Sequence, residues 1–159
     1  MATLPWTAVR VGAGRNATEP AATELTATKP TATEPTATEP TVTEPAVVMA
    51  SEFRLTSLRL VPGFFLAAMR IRRQVLASDG ALGVSLVAKP FARRFWTLSA
   101  WRNRAALDAF VGQEPHRSTM RRFRPAMAQA KFVFWESDAL PVPWEEARGR
   151  LATAPDRAR

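Results

Sequence analysis

Between residues 17 and 45 the chain repeats a five-residue unit, with ATEP at 17–20, TATKP at 26–30, TATEP at 31–35 and 36–40, and TVTEP at 41–45. Proline at every fifth position from Pro30 to Pro45 blocks any long helix. The threonines between the prolines offer no apolar face to bury. A period of five is also far shorter than that of stacked-repeat folds. The repeat therefore predicts a disordered, low-complexity tail over residues 1–48 and confines the core to the residues that follow. Met49 stands immediately before the first strand-like run, so a product starting there is expected to lose nothing from the domain.

What remains is enough for one modest core, not two. With no cysteine in 159 residues, disulfides, thiolate zinc sites and cysteine nucleophiles are excluded, and a single histidine argues against a multi-histidine metal site. No run approaches the roughly 20 apolar residues that span a bilayer, and no basic segment leads into an apolar signal core. A soluble, cytoplasmic protein with no membrane span is expected. Arginine outnumbers lysine 19 to 3, as in GC-rich bacterial genomes. Residues 1–48 carry three basic and five acidic side chains, which leaves 19 basic and nine acidic in residues 49–159. The folding part is thus strongly cationic, and such a field suits nucleic acid, an anionic membrane or an anionic small molecule alike.

Hydrophobic periodicity orders that part. FRLTSLRLV at 53–61 alternates and predicts a strand, ended by Pro62-Gly63. A helix is predicted over 64–77, with strands over 81–88 and 94–101 joined by a hairpin-like turn at 89–92. Asn103 caps a helix reaching about Val111, Gly112 stops it, and Pro115 opens another that runs to about Gln129 with a break at Pro125. KFVFWE at 131–136 predicts a fourth strand, and a short helix follows over 144–151. The order β-α-β-β-α-β, with a broken second helix and a short C-terminal helix, is the ferredoxin-like α+β arrangement of a four-stranded antiparallel sheet with helices on one face. Residues 49–137 form this domain and 138–159 a C-terminal extension. Apolar residues at both parities of every strand call for a cover on the second face, and a second copy, hence a homodimer, is the simplest one.

FWTLSAW at 95–101, AALDAF at 105–110 and PHRSTM at 115–120 together resemble the antibiotic biosynthesis monooxygenase group of the dimeric α+β barrel superfamily, over roughly residues 52–137. The resemblance implies a dimeric α+β barrel. Its activities include cofactor-free oxygenation of polyketide-like aromatics, haem degradation and carotenoid oxygenation. In the haem-degrading branch an asparagine lies early in the first strand, a tryptophan ends the second helix, and an iron-ligating histidine follows about ten residues later. Aligned on Trp101, those last two positions here are Phe110 and Met120; the first strand has no asparagine, and His116 comes four residues too early. Haem degradation of that type is therefore not expected, and a haem-binding variant through His116 or Met120 is a lesser alternative.

His116 is the candidate base, since imidazole titrates near neutrality; equally, at a helix start, it can simply bond backbone or solvent. Trp96, Trp101, Phe110 and Met120 are the candidate substrate-binding residues. Trp96 and Trp101 lie five apart on one strand and so face opposite sides, which lets at most one line a pocket. Arg70, Arg72 and Arg73, with Arg117, Arg121, Arg122 and Arg124, form two basic helix faces, solvated or arranged to hold a phosphate or carboxylate. No zinc finger, helix-turn-helix or RNP-like motif accompanies them, so nucleic acid is not the expected partner. The expectation is a monooxygenase-like homodimer, with no metal and no cofactor, that acts on a hydrophobic or partly anionic small molecule. The alternative is a non-catalytic ligand-binding or structural homodimer.

Overall fold

The structure is a computed structural model that describes residues Ala2–Val9 and Glu44–Ala158. The Thr/Glu/Pro repeat up to Thr43 lies outside the described residues. Five strands, β1 (Ala2–Ala8), β2 (Ala46–Leu55), β3 (Ala81–Lys89), β4 (Arg94–Trp101) and β5 (Met127–Ser137), make one open antiparallel sheet in the order β1-β3-β4-β2-β5. Four helices accompany it: α1 (Val61–Ala77), α2 (Arg104–Gly112), α3 (His116–Phe123) and α4 (Trp144–Thr153). Without β1, the sheet and α1–α3 have the ferredoxin-like connectivity expected from the sequence. The sheet does not close into a barrel.

The first departure is at the N-terminus. Residues 2–8, expected to be part of an unstructured tail, pair with β3 as an edge strand, from Ala2 opposite Ala88 to Ala8 opposite Gly83. Trp6 explains the docking: it lies so close over Gly83 that a Cβ there would be 2.2 Å from its ring. Glycine is what allows the indole to rest on the sheet. The first strand of the ferredoxin-like part also starts earlier and stops sooner than the 53–61 alternation suggested. Its length follows its neighbour, since the β2–β4 register runs from Val47 opposite Trp101 to Arg54 opposite Arg94. Beyond Leu55, the Ser57 hydroxyl accepts from the Arg59 amide and turns 58–60 into a short 3-10 helix. A chain starting at Met49 would lack β1 and the buried Ala46 and Val48 of β2.

Local signals set the helix ends. Pro62 occupies the first turn of α1 rather than ending a strand. The Asn103 side chain accepts from the Ala106 amide and caps α2. α3 stops at Phe123, short of the expected Gln129, because Pro125 sits in a 3-10 turn over 124–126 and β5 begins at Met127.

Each face of the sheet has its own core. On one side, Phe53, Leu55, Phe95, Met127 and Trp101 meet Phe64, Leu107, Phe110 and Phe123 from α1, α2 and α3. On the other, Val48, Ala50, Val87, Trp96, Leu98 and Ala100 meet Val142, Ala147 and Leu151 of the C-terminal extension, with Trp6, Trp135 and Trp144 packed around them. The second face is therefore covered from within the chain by α4, where a second copy was expected. Trp144 is tied down by its indole N–H, which donates to the Ser85 hydroxyl at 3.1 Å.

Candidate functional site

The α1–α3 side of the sheet is incompletely filled. A cavity of about 140 Å3 lies there, lined mainly by apolar side chains such as Met49, Phe53, Phe64, Val75, Phe110 and Phe132. That volume is close to the roughly 150 Å3 known to hold one benzene ring, and well below the 300 Å3 and more of a site for drug-sized ligands. The enclosed part thus suits a single aromatic ring or a chain of similar bulk.

His116 borders the cavity where α2 gives way to α3. Its ring lies against Phe110, 4.8 Å between centroids, and its Nδ1 is 3.1 Å from the Val111 carbonyl. A carbonyl only accepts, so this bond requires the proton on Nδ1 and leaves the lone pair on Nε2. Burial lowers the pKa of His116 below the ordinary imidazole value, and the bond to Val111 opposes that only in part. Near neutral pH the ring is a neutral base. Gln74 of α1 holds the junction: its Oε1 accepts from the His116 amide at 3.0 Å, and its Nε2 donates to the Phe110 carbonyl at 3.5 Å.

Arg72 is the cation of the cavity wall. Its Nη2 donates to the Thr7 hydroxyl of β1 at 2.5 Å, while its buried Nε has no hydrogen-bond partner. A buried guanidinium N–H without an acceptor is costly, and a ligand oxygen removes that cost. The other arginines of the two basic helix faces, Arg70, Arg73, Arg117, Arg121, Arg122 and Arg124, are exposed. The sheet adds hydroxyls to the cavity wall: Ser51, Thr97 and Ser99. Ser51 and Thr97 are cross-strand partners whose oxygens are 2.5 Å apart. One hydroxyl hydrogen serves that bond, so the second is available to an acceptor. Ser99 is engaged by the Trp101 indole N–H at 3.0 Å.

Of the candidate substrate-binding residues, Phe110 and Met120 border the cavity directly. Trp101 does not: it is fully buried beneath Phe110, 4.8 Å between ring centroids. Trp96 touches the boundary from β4, but its side chain belongs to the α4 core. The two tryptophans do face opposite sides of the sheet. Gln74, Ser51, Thr97 and Ser99 were not singled out from the sequence. Hydroxyls inserted in an otherwise apolar parity, Ser51 between Met49 and Phe53, and Thr97 with Ser99 between Phe95 and Trp101, were the available signal. No group of three or more acidic or histidine side chains able to hold a metal ion occurs among the described residues. No helix among them is long and apolar enough to cross a membrane.

No protein-family model matches the sequence, and no curated protein matches it. Solved structures do match the fold. A protein from Nitrosomonas europaea described as an antibiotic biosynthesis monooxygenase superposes with a TM-score of 0.55 at 15% identity, over 63% of this chain and 96% of that one. A conserved protein from Methanosarcina mazei gives 0.54 at 9% identity, over 60% and 96%. SnoaB, a cofactor-independent oxygenase from Streptomyces nogalater, gives 0.51 at 12% identity, over 61% and 98%. At such identities the likeness is one of architecture: this chain has the α+β fold of the antibiotic biosynthesis monooxygenase-like proteins.

Proposed function

We propose that the protein is a monooxygenase-like enzyme that acts without a cofactor on a hydrophobic small molecule carrying an acidic C–H group and an oxygen function, about one aromatic ring in bulk. The observation that carries this reading is a neutral histidine and an unpartnered guanidinium N–H on the wall of one apolar cavity. His116 Nε2 takes the proton of the activated C–H bond. The resulting carbanion is held by Arg72 and by the free hydroxyl hydrogen of the Ser51–Thr97 pair, donors already fixed where the negative charge develops. The electron-rich substrate anion then reduces oxygen and combines with it to give a peroxide anion, which takes back the proton held on His116 to become a hydroperoxide. Loss of water breaks the O–O bond and leaves a carbonyl, so CH2 and O2 become C=O and H2O. Phe110 and Met120 orient the substrate, while Gln74 positions His116.

The test is oxygen uptake by the full chain over a panel of monocyclic phenols, hydroxyquinols and 1,3-dicarbonyl compounds. Uptake should fall at least 100-fold in His116→Ala, the usual scale for losing a general base. It should rise with pH as His116 loses its proton, with the midpoint displaced below the ordinary imidazole value of about 6.5. Ligand binding with no oxygen uptake would instead support the non-catalytic ligand-binding alternative. A homodimer, on our reading, uses the β5 edge beyond Lys131 rather than the second sheet face, which α4 occupies; light scattering after gel filtration tests it.

A further inference from the structure

At one end of the sheet, three cations stand side by side on neighbouring strands. Arg54 of β2 is the register partner of Arg94 of β4, and Lys89 of β3 is Arg94's partner on the other side. Register partners share a face and lie about 5 Å apart, a spacing at which like charges repel. Glu52 is the acidic side chain that answers them, 3.8 Å from Arg94. The row continues into the β3–β4 turn, where Pro90 sets the backbone and Arg93 takes a left-handed conformation at φ 58°. Arg93 Nη1 donates to the Thr56 carbonyl at 2.6 Å and ties this turn to the 58–60 turn after β2. At the tips of the two turns Phe91 is 95% exposed and Leu58 53%.

Two exposed apolar side chains beside a row of three cations that faces one carboxylate leave apolar surface and excess positive charge together in water. This combination suits a surface that is anionic outside and apolar just beneath. We propose that this end docks on anionic lipid, with Phe91 and Leu58 entering the interface and Arg54, Lys89 and Arg94 meeting the headgroups. A nucleic-acid backbone would satisfy the cations but offer nothing to the two apolar tips. Docking there would let a hydrophobic ligand reach the protein from the bilayer. The proposal does not depend on the proposed reaction, because Phe91, Arg54 and Lys89 lie outside the cavity lining.

The experiment is co-sedimentation of the full chain with phosphatidylcholine vesicles, with and without phosphatidylserine, alongside a duplex oligonucleotide at the same ionic strength. Expected is binding to the phosphatidylserine vesicles alone, lost at high salt. Phe91→Ser should weaken it about tenfold, the scale of withdrawing one large apolar side chain. Arg54→Gln and Lys89→Gln should each weaken it roughly fivefold. Because Phe91 is almost fully solvated, its variant should fold, which circular dichroism verifies. Equal binding to both vesicle types, wild-type binding by Phe91→Ser, or tighter binding to the oligonucleotide would each overturn the proposal.

Discussion

The two faces of the sheet are made from the same strands yet packed to different standards. On the α4 face, Trp96, Leu98 and Val48 close against Ala147 and Leu151, and Trp6, Trp135 and Trp144 fill the periphery. On the α1–α3 face, Ser51, Thr97 and Ser99 interrupt the apolar surface, and a cavity is left beneath Arg72 and His116. A filled face holds the domain together. The face with the void, whose wall also carries the unpartnered Arg72 Nε, has given up some packing, and that is where a small molecule has something to gain by binding.

Substitutions should separate the faces by their cost. Leu151→Ala on the filled face should lower stability by about 3 kcal/mol, whereas Met120→Ala, half-buried beside an existing void, should cost nearer 1 kcal/mol. Urea unfolding of both variants measures the gap, and equal costs would break the contrast. Gly83→Ala comes next, at about 2 kcal/mol, because the new methyl collides with the Trp6 ring. Hydrogen exchange should show residues 2–8 released. Since Thr3, Leu4 and Thr7 adjoin the cavity or Arg72, ligand affinity should fall as well.

Ser51→Ala should cost about 1 kcal/mol by leaving the Thr97 hydroxyl without its partner, and adding Thr97→Val should recover part of that loss. A double-mutant cycle reads the coupling. The smallest effect is that of pH. Because burial lowers the His116 pKa, the unfolded chain binds more protons than the folded one as pH falls through the ordinary imidazole value. The His116 contribution to stability is complete above about pH 6.5, declines as the pH falls below it, and levels off beneath the folded pKa. His116→Gln should remove that decline; an unchanged profile would show that the imidazole is not desolvated.

Strands and helices with strong local signals were legible in the sequence: Arg94–Trp101 by alternation and the start of α2 by its Asn103 cap. The 53–61 reading failed because the register with β4 and the Ser57 cap outweighed an alternation that continued past Leu55. Residues 2–8 were illegible for a different reason. Their partner is β3, some 80 residues away, and the decisive fit, an indole over Gly83, joins two positions with no local relation. In the site, Phe110, His116 and Met120 stood out by residue type. Arg72 looked like its exposed neighbours, and only the approach of Thr7 and the cavity distinguishes it.

By itself the sequence determined the connectivity of the ferredoxin-like part and the opposed facing of Trp96 and Trp101, because these follow from periodicity and capping within a few residues. Tertiary structure alone decided which side of the sheet stays open to a ligand. The C-terminal extension could in principle have left the second face to another copy. With Val142, Ala147 and Leu151 seated on it, that face is filled, and the void lies under α1–α3, where long-range packing brings Arg72 and His116 to one wall.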